Sequence, residues 1–162
     1  MPYTLDFFVA NLKDPVTGRI TEADSSTNMT TYLRDTPELA YLGVGSTLEI
    51  DPERIRLNDY SGYRMVRPVE PGEPIRILQN WECPFCATPF HWAEIVVRDN
   101  VIASITDVPL TRETFERSHL VADELISEAA ALTGLGIPQL IDADLVSLVR
   151  KGLADKEKDG VA

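Results

Sequence analysis

Apolar and polar residues alternate with a period of two over much of the first half of the chain, which is typical of β-strands. The first such stretch, residues 3–10, predicts an opening strand with Tyr3, Leu5, Phe7 and Val9 on one face. Further short strands are predicted at 47–50, 63–66 and 75–78, separated by turn-forming Pro, Gly, Asp and Ser residues. Between these strands, residues 11–28 are rich in loop-forming residues, and a loop of this length is usually either functional or mobile.

Two longer β-rich stretches, 92–98 and 101–107, are joined by the pair Asp99-Asn100. Aspartate and asparagine tolerate the positive φ angles of a type I′ turn, and a two-residue link of this type connects antiparallel neighbours. The pattern therefore predicts an antiparallel hairpin.

The spacing of apolar residues changes to three and four in the second half, as in a helix with one buried face. Thr111 is a good N-cap and Gly134 a good stop, so one long amphipathic helix is predicted between them, and a second over 140–153. A short helix near residue 40 is predicted because Thr36-Pro37-Glu38 has the order of a capping residue, a first-turn proline and an acidic first turn.

Strands come first and helices last, which indicates an α+β fold: an antiparallel sheet with a hairpin, covered by two C-terminal helices. The length of 162 residues fits one domain, predicted at 1–153. Residues 154–162 contain few apolar side chains and are predicted to be a frayed tail.

The charge balance narrows the classes of function. The chain has 26 acidic and 15 basic residues, a net charge of -11, which would repel a nucleic acid backbone and favours a basic partner. No stretch of 18 apolar residues and no secretory signal are recognised, so neither membrane insertion nor export is expected and the cytoplasm is the default compartment.

Both cysteines, both tryptophans and one of the two histidines fall within residues 81–92. The Cys83-Pro84-Phe85-Cys86 turn resembles the metal-binding knuckle of zinc ribbons and rubredoxin-like folds, and with His91 the spacing is similar to that of the retroviral-type zinc knuckle. That resemblance implies zinc held by Cys83, Cys86 and His91. A structural zinc needs four ligands, and Val96 stands where the knuckle has its fourth. The alternatives for this position are His119, Glu94, a water molecule, or the equivalent pair of a second subunit in a homodimer.

Three other interpretations of the same turn remain open. Cys-Pro-Phe-Cys looks like the active-site loop of glutaredoxins and thioredoxin-like proteins, which implies thiol–disulfide chemistry, but no helix is predicted to follow it. Two cysteines and one histidine are also the ligands of the zinc deaminases, although their order differs here. The simplest interpretation is that both thiols pack as small buried apolar groups.

No catalytic motif is recognised, so the sequence favours a non-catalytic function. The leading expectation is an acidic binding protein, of the inhibitor or immunity type, that recognises a basic protein through Asp123, Glu124 and Glu128 on the exposed face of the long helix. A zinc-binding protein using Cys83, Cys86 and either His91 or His119 is the alternative, and a redox protein ranks below it.

Overall fold

The computed structural model describes residues 6–34, 39–85, 91–140 and 144–159. Eight strands lie within these ranges: β1 (Asp6–Phe8), β2 (Met29–Thr31), β3 (Tyr41–Leu42), β4 (Tyr63–Met65), β5 (Ile75–Trp81), β6 (His91–Arg98), β7 (Val101–Val108) and β8 (Leu120–Ala122). The same ranges contain five α-helices: α1 (Pro52–Arg56), α2 (Arg112–Arg117), α3 (Leu125–Thr133), α4 (Ile137–Leu140) and α5 (Leu145–Asp159). The predicted α+β class is confirmed.

The strands form two sheets. The larger has the order β4-β8-β5-β6-β7, and the smaller has the order β2-β1-β3. Most pairs are antiparallel, as predicted, but β1 pairs with β3 and β5 pairs with β8 in parallel. These parallel neighbours are far apart in sequence, so no turn signal could reveal them.

The larger sheet is covered on both faces. On one face, Trp92 of β6 donates to Glu128 of α3, and on the other Tyr63 of β4 hydrogen-bonds to Thr31 of β2. Because both faces are covered, the six residues 92–97 of β6 are all buried.

The predicted hairpin is β6 and β7. Asp99 and Asn100 have φ angles of 53° and 62°, the positive values that a type I′ turn requires at both central positions. The pairing is antiparallel from Trp92↔Val108 to Arg98↔Val101. This prediction is confirmed.

The long helix predicted after Thr111 is interrupted. Thr111 caps α2 and Gly134 ends α3, but between these helices Leu120–Ala122 form β8, inserted between β4 and β5. All three residues of β8 are buried, and the Ser118 hydroxyl donates to the Thr114 carbonyl at the end of α2. Helix α2 ends before Leu120 because a position between two strands of the sheet buries this apolar stretch on both faces.

Other predicted elements also differ from the structure. Residues 47–50, expected to form a strand, contain only an isolated bridge at Thr47, and α5 begins at Leu145 where the second helix was expected from residue 140. Residues 35–38 of the short helix expected near residue 40 lie outside the described residues, and Tyr41–Leu42 form β3, paired with β1. Residues 154–159, expected in a frayed tail, continue α5. Ala154, Lys156 and Glu157 are good helix formers, and Leu153 is buried, which anchors this end of the helix.

Among the described helices, none has the length and apolar character required to cross a membrane.

Candidate metal centre

Three side chains from separate segments meet at one end of β5. Asp14 lies in the loop between β1 and β2, Cys83 follows β5, and His91 is the first residue of β6. One ligand atom of each lies within 4.8 Å of the other two. A buried carboxylate beside a partly buried thiol and imidazole at this separation could hold a metal ion.

A tight turn positions Asp14. The backbone N–H of Asp14 donates to the Arg19 carbonyl (2.8 Å), and Gly18 N–H donates to the Asp14 carbonyl (2.8 Å). Gly18 has a φ of 76°, a left-handed conformation that glycine adopts without strain. The loop then rejoins the core through Thr21, whose N–H donates to the Leu12 carbonyl. The Asp14 side chain is thereby directed inward and is 0% exposed.

The carboxylate of Asp14 is held in its charged form. Burial alone would raise its pKa, but hydrogen bonds from the Thr17 hydroxyl (2.6 Å), the Val16 N–H (2.9 Å) and the Cys83 thiol outweigh it and lower the pKa to about 2. Hydrogen bonds to a carboxylate favour its ionised state. An ionised carboxylate is the state that ligates a metal.

Trp81 orients His91. The two residues face each other across β5 and β6, and their ring centroids are 4.8 Å apart. Trp81 is itself fixed because its Nε1 donates to the Trp92 carbonyl (3.2 Å). The imidazole is left 9% exposed, with Nε2 3.7 Å from Oδ1 of Asp14. Nitrogen and oxygen ligands of a tetrahedral zinc are about 3.3–3.6 Å apart, so this pair is within a few tenths of an ångström of that spacing.

The partly buried Cys83 lies in a turn that packs against the Asp14 loop. Phe85 N–H donates to the Cys83 sulfur (3.4 Å), the type of bond that stabilises a thiolate. The Arg19 guanidinium lies 4.1 Å above the Phe85 ring, and Glu82 N–H donates to the Thr27 carbonyl (2.9 Å). The second cysteine of the motif, Cys86, lies outside the described residues.

His119 lies at the other end of β5. Its Nδ1 accepts from Arg76 N–H (2.9 Å), and its Nε2 is 3.0 Å from Oε1 of Glu73. Burial lowers the pKa of His119, and the nearby Arg67 charge lowers it further by a smaller amount. Trp81 lies five positions after Arg76 in the strand, a distance of about 16 Å at ~3.3 Å per residue, so the structure does not bring His119 to Cys83.

Glu94, the other side chain considered as a fourth ligand, is engaged by arginines. Its carboxylate accepts from Arg117 (2.6 and 3.2 Å) and from Arg76 (3.3 Å). Glu94 and His91 also point to opposite faces of β6, because they are three residues apart in a strand.

The three acidic residues expected to form a partner-binding face have different environments. Asp123 forms an ion pair with Arg64 (3.3 Å), and Glu124 is exposed at the start of α3. Both line a concavity of about 190 Å³ that also includes Glu82. Glu128 is half-buried, and its Oε1 accepts from Nε1 of Trp92 (3.1 Å).

Sequence reasoning missed Asp14. The available signal was the Asp-Pro-x-Thr-Gly pattern of residues 14–18, which marks a turn inside a loop long enough to be functional. That pattern does not show which strand the turn packs against.

Protein-family models, curated proteins and solved structures were compared with the chain, and none matches it.

Proposed function

We propose that this chain is a zinc-binding protein whose metal centre contains Asp14, Cys83 and His91. The observation that carries the proposal is the convergence of three different ligand types, from three separate segments, within 4.8 Å. Thiolate, imidazole and carboxylate together are typical of zinc, whereas calcium and magnesium prefer oxygen ligands alone.

Cys86 is the proposed fourth ligand. It follows Cys83 at the Cys-x2-Cys spacing by which one turn supplies two thiolates to zinc. Four protein ligands leave no position for a substrate, so the proposed role of the metal is structural. Zinc would attach the Asp14 loop to the end of the large sheet. Residues 15–20 of this loop are all exposed, so they bury little apolar surface of their own.

Elemental analysis of protein purified without added zinc tests the proposal. We expect about one zinc per chain, because structural zinc sites bind tightly at neutral pH. Protein that lacks zinc, and that gains none when a stoichiometric amount is added before desalting, would contradict it.

A second proposal is that the chain binds a basic protein through Asp123, Glu124 and Glu128. Its support is the net charge of -11 and the concavity in which Glu82, Asp123 and Glu124 lie together. Complementary charge would speed the encounter of such partners.

Comparing charge reversal at two sites distinguishes a localised binding surface from an effect of the net charge. With an oligolysine peptide as the basic probe, Glu124→Lys should weaken binding several-fold more than Glu157→Lys, and added salt should reduce that difference. Both residues are exposed glutamates, so the two variants change the net charge equally. Equal affinities for the two variants would contradict a localised binding surface.

A further inference from the structure

A cavity of about 430 Å³ lies at the end of the large sheet, next to the metal centre. It is located where β5 ends, β6 begins and β7 ends, and its lining includes Trp81, His91 and Val108 from these strands. Small-molecule sites commonly have volumes of roughly 300–1,000 Å³. The cavity therefore has the size of a site for a small organic molecule.

Most of the lining is apolar. Trp92, Val108, Pro109 and Leu110 contribute side chains to the wall, and Pro15 contributes from the loop that carries Asp14. Trp92 is 4% exposed, and its indole is fixed by its bond to Glu128. These groups favour the apolar part of a ligand, because its contact with them removes apolar surface from water.

The charged groups at this cavity have one sign. Glu128 of α3 and Asp107 of β7 are carboxylates, and none of the described residues that line the cavity is a lysine or an arginine. Trp92 Nε1 donates to Oε1 of Glu128 (3.1 Å), which holds that carboxylate at the wall. The second oxygen of the same carboxylate can accept from a ligand.

We propose that this cavity binds a small organic cation, a protonated amine carried on an apolar or aromatic body. The ammonium group would lie beside the Glu128 carboxylate, and the body would pack against Trp92 and Leu110. An indole ring also attracts a cation placed over its face. The net charge of -11 raises the local concentration of cations over that of anions.

This proposal goes beyond the zinc centre and does not depend on it. Pro15 and His91 adjoin both sites, but the Glu128 carboxylate and the indole that recognise the amine belong to the cavity. Binding is therefore measured on zinc-loaded and on chelator-treated protein, with the zinc content of each sample determined, so that the two proposals succeed or fail separately.

Tryptophan fluorescence provides the readout, because the only two tryptophans of the chain, Trp81 and Trp92, both line the cavity. The probes are phenethylamine, the neutral phenethyl alcohol and the anionic phenylacetate, which share an aromatic body. We expect phenethylamine to bind about 10- to 100-fold more tightly than phenethyl alcohol, because this ratio corresponds to the free energy of one hydrogen bond to a charged group. Phenylacetate should bind most weakly.

Glu128→Gln tests the assigned carboxylate. Glutamine retains an oxygen that can accept from Trp92 but lacks the charge, so we expect phenethylamine to bind about 10- to 100-fold more weakly while phenethyl alcohol is unaffected. Glu157→Gln, on an exposed carboxylate of α5 outside this cavity, is the matched control and should bind like the unaltered protein. No binding of phenethylamine in either metal state, equal affinity for the amine and the alcohol, or no effect of Glu128→Gln would overturn the proposal.

Discussion

Replacing Cys83 with serine should abolish stoichiometric zinc binding and remove the stability that the metal supplies. A serine hydroxyl is a poor zinc ligand, and loss of a ligand should exceed the 10- to 100-fold effect of losing an outer hydrogen bond. A ligand present at 100 to 1,000 times its dissociation constant stabilises the folded state by about 3–4 kcal/mol. For a chain of this length that corresponds to roughly 10 °C in melting temperature.

Thermal unfolding with and without a chelator measures this effect. The unaltered protein should melt about 10 °C lower after chelation, whereas Cys83→Ser should melt at the same temperature in both conditions. Glu124→Gln serves as the control and should keep the full response to chelation. A Cys83→Ser protein that still contained one zinc per chain, or an unaltered protein indifferent to chelation, would be incompatible with the proposed centre.

Replacing Glu73 with alanine should destabilise the protein by about 2 kcal/mol at pH 7, the effect of removing a hydrogen-bonded charge that is partly buried. Glu73 accepts from the Arg67 guanidinium and from Glu70 N–H (2.8 Å), and it lies 3.0 Å from Nε2 of the fully buried His119. The variant would leave the imidazole without this acidic neighbour. Urea unfolding followed by circular dichroism gives the free energy of unfolding directly.

The pH dependence of this effect follows from the same contacts. The pKa of Glu73 is lowered to about 2, mainly by its hydrogen bond with the Arg67 guanidinium. The Glu73 carboxylate therefore makes its full contribution to the stability of the fold above the ordinary pKa of 4.5, and this contribution is lost as the pH falls from 4.5 towards 2. The pKa of His119 is also lowered, so acidification below its ordinary value of 6.5 destabilises the folded protein as well. The difference between the unaltered protein and Glu73→Ala should be smaller at about pH 3 than at pH 7. An identical difference at both pH values would refute the assigned role of the Glu73 charge.

Local signals in the sequence predicted several parts of the fold. Asp99-Asn100 predicted the hairpin, and Thr111 and Gly134 marked the first and last helix ends of a region that does contain two helices. The intervening strand β8 could not be recognised, because Leu120–Ala122 are apolar residues compatible with a buried helix face or a buried strand. Their pairing with β4 and β5, which are distant in sequence, decides between the two.

The metal centre could be predicted only in part. Cys83 and His91 were identified because they are close in sequence, and the pairing of β5 with β6 keeps them close in space. Asp14 is 69 positions before Cys83, and its approach depends on how a polar loop packs against a strand end. His119 was a candidate fourth ligand because it was expected on a long helix. Strand β8 replaces part of that helix, and His119, which immediately precedes β8, lies at the opposite end of β5.

Zinc K-edge X-ray absorption of the purified protein tests most directly whether Asp14, Cys83 and His91 share one zinc ion. We expect zinc ligands of both kinds, with sulfur at about 2.3 Å and nitrogen or oxygen at about 2.0–2.2 Å from the metal. Asp14→Asn and His91→Gln should each alter the nitrogen and oxygen ligands while the sulfur remains. Ligands of nitrogen and oxygen alone, or of sulfur alone, would contradict the proposed centre.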